Sequence, residues 1–164
     1  MNRFTLICAA LVFLLAGSVS AQDVLFRNAT VLTITDGDLE NTDVLVSGGI
    51  ITEIGSNIRA PRGITEVDAT GKYLMPGIID AHSHIALSSV NEGSSPVTAE
   101  VSMEDVVNPY HLGIYRALAG GVTTSHTMHG SANVIGGQNE TIKPRFGTKD
   151  PDVVRFEGAP RTIK

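Results

Sequence analysis

His82 and His84 are separated by one residue, Ser83, and follow the short apolar run Gly77-Ile78-Ile79-Asp80-Ala81. In an extended chain, side chains two apart project from the same face. Two imidazoles at this spacing can therefore converge on one ion, and neutral imidazole suits Zn²⁺ and related borderline divalent metals. Asp80, two residues before His82, can accept a hydrogen bond from a ring N–H or fix the loop that carries the histidines. A His-x-His pair also arises by chance, as incidental polar residues at a strand end. The Pro76-Gly77 punctuation, the apolar run and the pattern that follows favour a metal site.

Other residues invite chemistry less strongly. His126 and His129 are three apart, a spacing that shares a face on a helix. Thr123-Thr124 before them and Gly130 after them argue instead for a strand running into a loop. His129 is then expected to line the mouth of the site, and direct ligation by the pair is disfavoured. The loop from Gly130 to Gln138 has neither the Gly-Lys-Ser/Thr ending nor the strand–Gly-x-Gly-x-x-Gly–helix frame of a phosphate cradle. It is either a structural loop with close backbone approach or a substrate-side loop, in which case Asn133 and Gln138 make the contacts. His111 falls in a helical segment and reads as a surface or packing residue.

The elements that must position these groups follow from periodicity. Residues 24–26, 30–34, 43–46 and 50–54 are short runs rich in β-branched residues, separated by Asp36-Gly37-Asp38 and Gly48-Gly49. They predict a small antiparallel sheet with a hairpin at Gly48-Gly49. After Pro76 the pattern changes. Gly77–Ala81 predicts a strand buried on both faces of a parallel sheet. A helix is predicted from Asn108 as N-cap with Pro109 at its first position, an apolar stripe of Leu112, Tyr115, Leu118 and Ala119, and Gly120 at its end. Gly121-Val122-Thr123-Thr124 resumes a β pattern, giving a βαβ unit. Residues 153–156 read as a third strand or a helix start, and residues 161–164 as the beginning of a fourth strand.

Composition narrows the class. Hydrophobic residues make up 42% of the 164, which reads as globular. The formal charge of −5 is scattered, with no basic block, so a nucleic-acid partner is not expected. Residues 1–21 read as an export signal: Arg3, an apolar stretch from Phe4 to Ala16, and small residues up to Ala21. That stretch is short for a membrane span, so no membrane anchor is expected, and the mature protein is expected to be periplasmic or extracellular. The single cysteine, Cys8, lies inside this segment. A cysteine-ligated metal and a cysteine nucleophile are thereby excluded from the mature chain.

The segment YLMPGIIDAHSHI resembles the signature of the amidohydrolase superfamily at the end of its first barrel strand. Residues 24–76 resemble the small β-sandwich that members build beside a (β/α)₈ TIM-type barrel. ALAGGVTTSHTMHGSANVIGGQ resembles the second strand and following loop of an exported, imidazolonepropionase-like branch. The resemblance implies an α/β fold divided into a signal (1–21), the N-terminal part of a β-sandwich domain (22–75) and the N-terminal part of a barrel (76–164). It implies a hydrolase of C–N bonds in amide or dipeptide-like small molecules, in which a metal-activated water attacks a carbonyl. His82 and His84 would hold one or two divalent ions, Zn²⁺ foremost, and Lys164 falls about where some members place a bridging carboxylated lysine.

A (β/α)₈ barrel takes about 250 residues, so the barrel is expected to be incomplete and the chain inactive by itself. The base aspartate and the remaining ligands are expected beyond Lys164, and a homo-oligomer of the full protein is left open. The competing expectation is an exported, non-catalytic metal-binding or structural module. Substrate choice, including amino-sugar deacetylation against dipeptide cleavage, is not written in these residues.

Overall fold

The computed structural model describes residues 22–164, so the export signal and Cys8 lie outside the described residues. The chain divides into two compact units, one ending at Pro76 and one running from Gly77 to Lys164.

The first unit is a five-stranded sheet: β1 (Val24–Leu32), β2 (Asp38–Ser47), β3 (Ile50–Gly55), β4 (Thr65–Asp68) and β5 (Tyr73–Leu74). The order is β3-β2-β1-β4, with β5 also pairing with β1. The two runs at 24–26 and 30–34 belong to one strand, β1, whose register with β2 is irregular between Phe26 and Val31. Asn28 sits in that irregularity at φ 57, a left-handed conformation that asparagine tolerates better than most residues. The sheet is mixed rather than antiparallel, because β4 and β5 run parallel to β1. Their connections are long enough to return the chain to the same end. Gly48 and Gly49 have φ of 59 and 79, as a two-residue type I′ hairpin turn requires.

Alternation along β1 and β2 gives the sheet two apolar faces. Ala29, Val31, Val44 and Ala69 cluster on one, and Leu25, Leu45 and Ile58 on the other. Asp43 is buried among them, 3% exposed. It accepts from Arg27 Nη1 (2.7 Å), the Asn28 amide (3.0 Å) and the Ile58 amide (3.1 Å). Burial alone would raise its pKa; these donors outweigh that and hold the carboxyl below its ordinary range.

In the second unit, β6 (Ile78–Ser83) pairs in parallel with β7 (Val122–Thr127), and β8 (Glu140–Ile142) adds to β7 antiparallel. Helix α1 (Leu112–Ala119) lies between β6 and β7 in sequence, completing the βαβ unit. Three readings are corrected. β6 is an edge strand with Ile79 71% exposed, because β7 is its only strand partner among the described residues. The helix starts later than Asn108. Asn108 Oδ1 accepts from the Tyr110 amide in a turn, while His111 Nδ1 accepts from the Gly113 amide and is the N-cap. The Leu112–Tyr115–Leu118 stripe is exposed, and the fully buried Ile114 packs with Ala86 and Ile142 instead.

The last residues form no long strands. Pro151–Val153 is a 3₁₀ turn, and single bridges tie Arg155 to Ile142 and Ile163 to Gln138. Among the described residues, no helix is long and apolar enough to cross a membrane.

Candidate metal centre

The histidine segment is clamped at both ends. At its start, a Cβ on Gly77 would lie 2.2 Å from Thr123 Cγ2, so glycine is what permits this close approach of β6 to β7. The Ile78 amide then bonds the Gly121 carbonyl at 2.9 Å. At its end, Met128 N–H donates to Ser83 O (2.8 Å) and Thr127 Oγ1 donates to Ile85 O (3.3 Å). Ala86, fully buried at φ 61, turns the chain away from the strand, and its carbonyl accepts from Asn108 N–H. Between these clamps Ser83 points inward while His82 and His84 are exposed.

The two rings meet edge to face, with centroids 5.3 Å apart. His84 Nδ1 lies 2.8 Å from the Met128 carbonyl. A carbonyl only accepts, so Nδ1 carries the proton and the Nε2 lone pair is free. Lys164 Nζ, 82 residues along the chain, stands 3.0 Å from His82 Nε2. An ammonium donates, so His82 also bears its lone pair on Nε2. Asp80 Oδ1 accepts from the His82 backbone N–H at 3.2 Å. Of the two roles open to Asp80, this contact serves the second, fixing the loop.

This donor set fits part of a metal shell. His84 can present an Nε2 lone pair, and Lys164 Nζ stands on Nε2 of His82, where an ion would have to displace it; zinc normally takes three or four protein ligands. Among the described residues, no group of three His, Cys, Asp or Glu side chains is placed to hold an ion.

The other candidates are not brought to these histidines. His129 is fully buried: Nε2 accepts from Glu92 N–H (2.8 Å) and Nδ1 donates to the Gly130 carbonyl (2.7 Å). Both nitrogens are engaged, so the ring has none left for a substrate at the site mouth. Asn133 Nδ2 donates to the carbonyls of Glu92 (2.8 Å) and Ser95 (3.2 Å), and Gln138 Nε2 donates to Ala99 O (3.3 Å). These contacts tie the 130–138 loop to residues 92–99. Gly136 and Gly137 belong to the same packing, since a Cβ at Gly136 would fall 2.5 Å from His129 Nδ1. Close backbone approach is therefore the observed role of the glycines.

His126, disfavoured as a ligand, has Nδ1 at 2.9 Å from Thr141 Oγ1 and Nε2 at 2.7 Å from Thr162 Oγ1. Sequence reasoning found neither this pair nor the Met128 carbonyl. Threonines at such separations carry no spacing signal, and a backbone carbonyl carries no residue identity. A largely apolar hollow of about 340 Å³ lies beside His126, between Ile79, Ala81, Phe156 and Pro160. A larger cavity, about 420 Å³, does not touch His82 or His84. In its wall Arg155 pairs with Glu104 (2.6 Å), Glu140 (3.5 Å) and Asp152 (3.2 Å).

No family model matches the chain. Individual proteins do. Over 100 residues the chain is 41% identical to a dihydropyrimidinase of Dictyostelium discoideum, covering 61% of this chain and 17% of that protein. Over 122 residues it is 30% identical to a 5'-deoxyadenosine deaminase of Methanosarcina acetivorans, covering 65% and 28%. The crystal structure of an amidohydrolase from Thermotoga maritima superposes with a TM-score of 0.72 and 43% identity, over 82% of this chain and 37% of that one. The chain is thus similar to part of proteins named dihydropyrimidinase, deaminase and amidohydrolase, and its own fold is mixed α/β and strand-rich. It spans less than a third of the length of these two curated relatives.

Proposed function

We propose that this chain is part of an exported, metal-dependent amidohydrolase of the imidazolonepropionase-like branch, hydrolysing C–N bonds in amide or dipeptide-like small molecules. The observation that carries the reading is the edge-to-face pairing of His82 and His84, with Lys164 Nζ beside His82 Nε2. Relatives named dihydropyrimidinase and deaminase support C–N chemistry. A β-sandwich domain and part of a (β/α)₈ barrel are the proposed setting, supported by the 0.72 superposition on an amidohydrolase.

His82 and His84 would hold a divalent ion, Zn²⁺ foremost, with Lys164 beside them. When bound, such an ion lowers the pKa of a water ligand toward neutrality and polarises a carbonyl. The chain's own residues prepare the site. Met128 O keeps His84 in the tautomer that leaves Nε2 open, Asp80 pins the His82 backbone, and Ser83 anchors the strand end. The remaining ligands and the base would come from regions equivalent to the parts of the relatives that this chain does not span.

A second reading is a non-catalytic metal-binding module, in which the exposed His82–His84 pair takes an ion without supporting hydrolysis. The protein, purified at the length in which it occurs in its host, separates the two. Bound metal together with chelator-sensitive hydrolysis of cyclic amides, N-acyl compounds or dipeptides supports the hydrolase. Bound metal with no turnover of any of these supports the module, and a folded protein with no affinity for divalent metal overturns both.

A further inference from the structure

We propose that His126 and Thr162 are positioning residues that hold Lys164 against His82; the inference rests on the metal-centre reading above and deepens it. Asn139 is buried, its Oδ1 accepts from His129 N–H (3.0 Å), and its Nδ2 donates to Thr162 Oγ1 (2.7 Å). An amide NH₂ only donates, so the Thr162 oxygen accepts from Asn139, and its own hydrogen is available to His126 Nε2, 2.7 Å away. His126 Nδ1 in turn lies 2.9 Å from Thr141 Oγ1, so the ring is held between two threonine hydroxyls. The contacts run Asn139 to Thr162 to His126 to Thr141, and they start from a buried amide whose orientation is set by the His129 N–H.

Backbone pairing converts this into register. Asn139 N–H donates to Thr162 O (2.9 Å), Lys164 N–H donates to Gly137 O (3.2 Å), and Ile163 bridges Gln138 antiparallel. In such an extended segment, residues 162 and 164 share a face. When Thr162 is bonded to His126 on β7, Lys164 reaches His82 on β6. A slip of one residue would present Ile163 to the histidines and turn Lys164 away. A lysine stem otherwise has many rotamers and no reason to favour this one. The hydroxyl–imidazole contact thus places a nitrogen two residues further on.

The test needs a readout that exists without metal. Imidazole ¹⁵N NMR of the metal-free protein reports whether an ammonium faces His82 Nε2, with Lys164→Met as the reference for its loss. Thr162→Val and His126→Gln are expected to move the His82 resonances to the Lys164→Met position, whereas Thr162→Ser keeps the wild-type position. Folded Thr162→Val and His126→Gln proteins with wild-type His82 resonances would overturn the inference, as would failure of serine to rescue. A wild-type protein that binds no cobalt yet shows this NMR pattern overturns the hydrolase reading and supports the placement of Lys164.

Discussion

His129→Ala is the substitution that best separates a packing role from a substrate role in the loops around the histidines. The ring is 0% exposed and bonds two backbone groups, the Glu92 N–H at 2.8 Å and the Gly130 carbonyl at 2.7 Å. Truncation deprives both of their partner, at about 1–3 kcal/mol for each that stays buried. Glu92 is an exposed residue, so water can recover part of the first loss, whereas Gly130 is buried. The imidazole also leaves a cavity walled by Gly136 and Gly137, which have no side chains to fill it. Together these give about 3–4 kcal/mol, a large share of the roughly 5–15 kcal/mol that keeps a domain folded.

Two compact units need not unfold together, so a single global transition is the wrong observable. Amide hydrogen exchange resolved by residue, with urea unfolding followed by far-UV circular dichroism, reads the second unit. Protection at Glu92, whose N–H loses its acceptor, should collapse in His129→Ala while that at Leu25 and Val44 stays unchanged. His129→Gln, which retains a donor and an acceptor, should lose less. If His129→Ala keeps wild-type protection at Glu92 and unfolds within about 0.5 kcal/mol of wild type, the latch argument is refuted.

Asp43→Asn should cost about 2 kcal/mol near neutral pH; the larger loss usual for a broken buried pair is discounted because Arg27 is a quarter exposed. The folded-state pKa of Asp43 is depressed, so its contribution is fully present above the unfolded value near 3.9 and is lost as pH falls through the folded value. Urea midpoints of the first unit should therefore fall on acidification below about pH 4 in the wild type and less steeply in Asp43→Asn. Gly77→Ala should destabilise the second unit by about 1–3 kcal/mol, since its Cβ would fall 2.2 Å from Thr123 Cγ2. Adding Thr123→Ala should restore most of that loss, and an additive double-mutant cycle would contradict the contact.

The sequence carried the local patterns well. The Gly48-Gly49 hairpin, the βαβ succession and the same-face projection of His82 and His84 all rest on spacings of two to four residues, and spacing survives without a structure. What it could not carry was which faces are covered. The Leu112–Tyr115–Leu118 stripe has helical periodicity, yet Ile114 is the side chain that meets Ala86 and Ile142. Nor could it show that β4 and β5 return parallel to β1, or that β8 forms in a stretch read as loop, because three residues are too few for a period. Lys164 was suggested by family resemblance alone; the 3.0 Å approach to His82 depends on pairing between residues 136–139 and 162–164. His129 looked like a site residue because its neighbours are loop-like, and only its buried bonds to Glu92 and Gly130 reveal a latch.

Cobalt(II) titration followed by visible d–d absorption tests the central claim most directly, comparing the wild-type protein with His82→Ala, His84→Ala and the control His111→Asn, which keeps a capping side chain. The account predicts saturable binding in the wild type and in His111→Asn, with affinity at least about 100-fold weaker in either His82→Ala or His84→Ala. Absence of saturable binding in the wild type, or unchanged affinity in both alanine variants, would contradict it.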